Sequence, residues 1–181
     1  MRINVGEFDG WGHVHHTAVI GGPPQHRDYR AGDPIYHPII ASSAWIGAYV
    51  TIDSGRGRHT WIGQDVMLMH CCHVGHDTWI GHGTEIAPMS SIGGWVEIGE
   101  HVSIAQGVTI KPRLKIGDGA KLGMGAVVIR DVPEGVTVVG NPAAQLLGGK
   151  GLREKQAELD GTLHPEEHHD AWAEYRELAS Q

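Results

Sequence analysis

The chain has 181 residues, 40% of them hydrophobic, which is room for one domain with a sizeable core plus an appendage. A formal net charge of −7 speaks against a nucleic-acid partner, and 27 glycines without a three-residue period exclude a collagen-like repeat. The two cysteines, Cys71 and Cys72, are neighbours that build no disulfide framework and fit a cytoplasmic setting, and neither a membrane-spanning apolar run nor a secretory leader is expected.

At the amino end Phe8, Val14 and Ile20 stand six residues apart and read as one coil of a repeat. Residues 21–38, "GGPPQHRDYRAGDPIYHP", are rich in Pro, Gly and charge and predict a loop projecting from that repeat. Ile40, Ile46 and Ile52 resume the six-residue step, and a ten-residue step to Ile62 places a short insertion at "DSGRGR", 53–58. From Ile62 to Val128 every sixth residue is aliphatic, through Leu68, Val74, Ile80, Ile86, Ile92, Ile98, Ile104, Ile110, Ile116 and Leu122. The position two before each, from Thr60, Val66 and Cys72 to Ala120 and Ala126, is nearly always small or β-branched.

A period of six is neither helical nor a continuous half-buried strand. It fits short strands joined by turns, each strand sending one large and one small residue inward. Ile-Gly recurs at 62, 80, 98 and 116, so three hexads make one coil of a triangular prism. Stacked coils lie about 4.8 Å apart. Residues 130–143, "RDVPEGVTVVGNPA", read as the last partial coil. Beyond residue 148 Leu, Ala and Glu replace glycine and β-branched residues, and Pro165-Glu166-Glu167 reads as a helix start. The expected organisation is a β-helix over 1–148 and a helical extension over 149–181.

The segment "CCHVGHD", 71–77, invites a metal-site reading in a chain with 14 histidines. The repeat dissolves part of it. Val74 and Cys72 occupy inward positions, so Cys72 is a small core residue, whereas His73, His76 and Asp77 lie outside the core.

Hexads of the form aliphatic-Gly-x-x-small-x resemble those of the hexapeptide-repeat acyltransferases over roughly residues 8–146. "IGGPPQHRDYRAGDP" (20–34), "TIDSGRG" (51–57) and "LMHCCHVGHD" (68–77) are similar to the UDP-N-acetylglucosamine O-acyltransferase branch. "GHDTWIGHGTEIAP" (75–88) and "GAVVIRDVPEGVTVVGNPA" (125–143) are similar to nucleotide-sugar N-acetyltransferases. The resemblance implies an all-β, left-handed parallel β-helix, a homotrimer with sites between subunits, a sugar acceptor, acetyl-CoA or another acyl-CoA as co-substrate, and no metal.

On this resemblance His76 is the general base and Asp77 its partner, a role that suits an imidazole titrating near neutrality. One coil on, Gly94 would offer its backbone N–H to a developing oxyanion. His73 would line the acceptor site, with His26, Asp28 and Tyr29 of the loop, Arg56 and Arg58 of the insertion, and Trp95 beside Gly94. Lys111, Arg113, Lys115, Lys121 and Arg130 form a basic run suited to CoA phosphates, and Asn141 sits in the terminal "GNPA". The chain departs from the O-acyltransferase branch at His26 and Asp28, and at Lys111-Pro112 where that branch carries His-Gln. Two other readings stand beside this one. The first is a zinc enzyme like the γ-class carbonic anhydrases, using several of the histidines. The second is a non-catalytic trimeric scaffold or binding module.

Overall fold

A computed structural model describes residues 13–146, an all-β parallel β-helix of the left-handed kind with no helix among those residues. The expected extension over 149–181 and Phe8 lie outside the described residues. Three sheets form the faces of the prism, with eight, six and five strands. The first face runs from His13–Val14 through Trp45–Ile46, Met67–Leu68, Glu85–Ile86, Ser103–Ile104 and Lys121–Leu122 to Thr137–Val139. Ala144–Gln145 then folds back antiparallel on that last strand and closes the edge of this face. The second face stacks Val19–Gly22, Thr51–Asp53, His73–Val74, Ser91–Ile92, Thr109–Ile110 and Val127–Val128. The third stacks Ile39–Ile40, Trp61–Ile62, Trp79–Ile80, Glu97–Ile98 and Lys115–Ile116.

The hexad explains each strand. Its aliphatic residue points inward, and Ile62, Leu68, Val74, Ile80, Ile86, Ile92 and Ile98 have no exposed surface. The small position two residues earlier is buried at every step from Thr60 to Ala126. Where that residue is polar, its hydroxyl is satisfied across the turn. Thr78 donates to the Gly93 carbonyl at 3.0 Å, Thr84 to Gly99 at 2.8 Å and Ser90 to Ala105 at 3.1 Å. The residue three past the aliphatic turns the corner in the left-handed region, as Cys71, Asp77 and Trp95 do with φ of 62°, 61° and 62°.

The loop differs slightly from expectation. The strand Val19–Gly22 keeps Gly21 and Gly22 in the sheet, because Gly22 pairs with Asp53 and its carbonyl accepts the Ser54 N–H at 2.8 Å. The projecting segment is therefore 23–38. It is tied to the 53–58 insertion by a two-way bridge, Tyr36 N–H to the Gly55 carbonyl at 2.8 Å and Gly55 N–H to Tyr36 at 2.7 Å.

Candidate active site

His76 leaves the core two residues after the inward Val74, as the hexad requires, yet it is only 7% exposed. It does not stand on an open face because two other segments cover it. The His26 ring of the loop packs edge-on against it with centroids 5.6 Å apart. The Gly94 backbone packs on its other side, so closely that a Cβ there would lie 2.6 Å from Nε2. Only glycine fits that rung of the ladder.

The other ring nitrogen, Nδ1, lies 2.7 Å from Oδ2 of Asp77. An acceptor-only carboxylate assigns the proton to Nδ1 and leaves the Nε2 lone pair for the cleft. Asp77 is itself fully buried and held on all sides. Its N–H donates to Thr60 Oγ1 at 3.0 Å. The insertion contributes three backbone donors: Arg56 N–H to Oδ2 at 2.9 Å, and the Gly57 and Arg58 N–H groups to Oδ1, both at 2.7 Å. Burial pushes the carboxyl up. The N–H groups of Arg56, Arg58 and Gly57 and the His76 imidazole outweigh it and bring it below the usual carboxylate range.

Sequence reasoning placed Arg56 and Arg58 at an acceptor. The structure shows what their backbone does: "SGRGR" is a nest of N–H groups around a buried anion. The two glycines in the insertion were the available signal. The Arg58 side chain also turns inward. Its Nε donates to the Asp77 carbonyl at 2.7 Å, its Nη1 to Glu97 Oε1 at 3.0 Å, and its guanidinium lies over the Trp95 ring at 5.3 Å. Arg113 covers the same ring at 5.5 Å.

A cleft of about 530 Å³ opens beside His76. It gathers His26, His73, Gly94, Trp95, Lys111 and Arg113 of the expected residues. It also gathers Gln25, Asp53, Ser91 and Thr109, which were missed. His73 is oriented by Thr51, whose Oγ1 lies 2.8 Å from Nδ1. Asp53 is 5% exposed, and its Oδ2 has no hydrogen-bond partner. Burial raises its carboxyl above the usual range, partly offset by His73, Gln25 and His76. Nothing among the described backbone bonds takes the Gly94 N–H, which sits in the turn beside Nε2. A base with a fixed tautomer, a bonding-competent backbone donor and a roofed cleft are the parts an acyl transfer requires.

His70, His73 and His76 do not converge. His70 is exposed, and its Nδ1 accepts the Ala48 N–H at 2.9 Å. Among the described residues no group of three or more His, Cys, Asp or Glu is arranged to hold a metal ion.

Residues 59–94 and 78–112 match the family model described as bacterial transferase hexapeptide, six repeats. The stretch 59–112 carries the hexapeptide repeats that this family model describes. Similar solved structures include a UDP-N-acetylglucosamine O-acyltransferase from Moraxella catarrhalis, 29% identical with a TM-score of 0.72, covering 80% of this chain and 57% of that one. WeeI from Acinetobacter baumannii is 30% identical with a TM-score of 0.61, covering 74% of this chain and 57% of its own. PerB from Caulobacter crescentus, solved with CoA and GDP-perosamine, is 25% identical with a TM-score of 0.62, covering 75% and 57%. This hexapeptide-repeat chain thus spans little more than half the length of these structures. No curated protein matches the sequence.

The remaining expected residues stand apart from the hexapeptide-repeat cleft. Asp28 is exposed, 3.8 Å from His26 Nδ1, while the Tyr29 N–H holds the His26 carbonyl at 3.0 Å. Arg56 Nη1 approaches His26 Nδ1 at 3.3 Å, so these residues support the roofing histidine rather than line the cleft. The basic run is spread over the prism. Lys115 pairs with Glu97 Oε2 at 3.4 Å on the third face, Lys121 is exposed on the first, and Arg130 is exposed past Val127–Val128. Asn141 is exposed in the turn before Ala144–Gln145.

Proposed function

We propose that this protein is an acyltransferase that moves an acetyl or short acyl group from acyl-CoA to an amino or hydroxyl group of a nucleotide-linked sugar. The observation that carries this reading is the His76–Asp77 pair, with its carboxylate clamped by three N–H groups and its Nε2 beside the Gly94 backbone. The acceptor gives its proton to Nε2 as it attacks the thioester carbonyl. Asp77 stabilises the imidazolium that forms. The carbonyl oxygen, now anionic, takes the Gly94 N–H. The C–S bond then breaks, and the departing thiolate recovers the proton from Nε2.

Two neighbours support the substrates: PerB was solved with CoA and a nucleotide sugar, and the Moraxella protein is a UDP-N-acetylglucosamine O-acyltransferase. Lys111 and Arg113 at the cleft suit phosphate groups of either ligand. Lys115, Lys121, Arg130 and Asn141 serve CoA if subunits meet as a trimer. The outer stripe of Ile39, Trp61 and Trp79 on the third face, each more than a third exposed, supports such an assembly.

Thiol release from acetyl-CoA, scored over a panel of nucleotide-linked sugars, tests the reading. His76→Ala should lower turnover at least ~100-fold, the usual worth of a general base, with the fold intact. Near-normal turnover in that variant refutes the assignment. Stoichiometric zinc with chelator-sensitive activity would favour the zinc-enzyme reading, and absence of any acyl-CoA binding by calorimetry the scaffold reading.

A further inference from the structure

Asp53 stands where the repeat ordinarily places glycine. On the second and third faces the residue just past the inward aliphatic is glycine at Gly63, Gly75, Gly81, Gly93, Gly99 and Gly117. On the second face the charged exceptions at that position are Asp53 and Lys111, and both line the cleft beside His76. Between them lie the rungs of Gly75 and Gly93, which add no side chain along the ladder, so what covers the carboxylate comes from outside it, Gln25 and His73 among them. Three rungs at about 4.8 Å separate the two charges by roughly 14 Å. The cleft therefore has an acidic side chain at one end and a basic one at the other, with His76 and Gly94 on the rungs between.

Asp53 Oδ2 is buried and has no partner among the described residues, which is costly for a carboxylate without a function. Two acceptors, Oδ2 of Asp53 and Nε2 of His76, thus serve one cleft. A hydroxyl carries a single proton. If it goes to His76 for the reaction, Asp53 remains unsatisfied. An amino group carries at least two and can satisfy both.

We propose that Asp53 makes the site select an amine acceptor, holding one N–H of the attacking nitrogen on Oδ2 while Nε2 of His76 takes another. This rests on the acyltransferase reading and narrows it to N-acylation. An acceptor arriving as ammonium first gives its extra proton to solvent. The neutral nitrogen then forms the N–C bond, one N–H proton passes to His76, the C–S bond breaks and that proton leaves on the thiol. The N–H held by Asp53 stays in the amide product. The phosphates of the ligands point towards Lys111 and Arg113.

The probes are UDP- and GDP-linked hexoses carrying one ring amino group, each with its hydroxyl counterpart, and acetyl-CoA as donor. The wild-type protein should favour the amine by at least ~100-fold in kcat/KM, and Asp53→Asn should reduce that preference by roughly 10- to 100-fold, chiefly through a higher KM for the amine. The variant is nearly isosteric, so a melting curve confirms its fold. Equal turnover of both members by the wild type, or an unchanged preference in Asp53→Asn, overturns the inference. If the hydroxyl members turn over equally and His76→Ala abolishes both, only the amine selection falls. If no member of any pair releases thiol, the acyltransferase reading falls and takes this one with it.

Discussion

Asp77 collects four hydrogen bonds on its two oxygens, from three backbone N–H groups and the His76 ring. Its depressed pKa makes it a source of stability with a definite pH sign. That contribution is present above the unfolded value near 3.9 and is lost as pH falls through the lower folded value. Asp77→Asn should therefore cost about 2 kcal/mol or more near neutral pH, and the gap to wild type should close on acidification below about pH 4. Urea unfolding at several pH values measures this, and a gap that widened in acid would contradict it. His76-Asp77 was legible because the two residues are adjacent and fall on a fixed slot of the hexad. The clamp on Asp77 was not, because its donors are backbone groups 19 to 21 residues earlier, with no side chain to announce them. Asp53 was hidden for a related reason. The ten-residue step to Ile62 made it look like the start of an insertion rather than the residue completing a coil.

At the scale of elements, the strands from Trp61 to Val128 were legible because a strict six-residue period leaves no freedom of register, whereas the end of Val19–Gly22 and the antiparallel Ala144–Gln145 were not. The insertion was legible only as an interruption. Its purpose depends on a turn so tight that a Cβ on Gly55 would sit 1.6 Å from the Arg58 carbonyl oxygen. Gly55→Ala should therefore open the turn and release the N–H groups from Asp77. We expect at least ~10-fold loss of turnover, in line with the worth of a positioned base, while the β-helix itself remains folded by circular dichroism. Full activity in that variant would mean that the nest is not required. The Tyr36–Gly55 bridge predicts a wider effect, since the same turn anchors the loop that carries His26 over the His76 ring.

For the whole molecule, the basic run separates onto three faces because three consecutive hexads always point in three directions. Residues of different hexads meet on one face at a spacing of one coil, as His76 and Gly94 do. The stripe of Ile39, Trp61 and Trp79 obeys that rule across two rungs, 39↔61 and 61↔79. If the stripe is a subunit interface, light scattering should give three times the protomer mass, and Trp79→Glu should shift the population to monomer. A monomeric wild type would refute the trimer. The stacked rungs also make the molecule a ruler with discrete graduations. Any two groups on one face are separated by a whole number of coil heights. A change in the reach of the cleft, and so in the charge separation of a ligand it accepts, has to come in whole coils rather than by gradual adjustment.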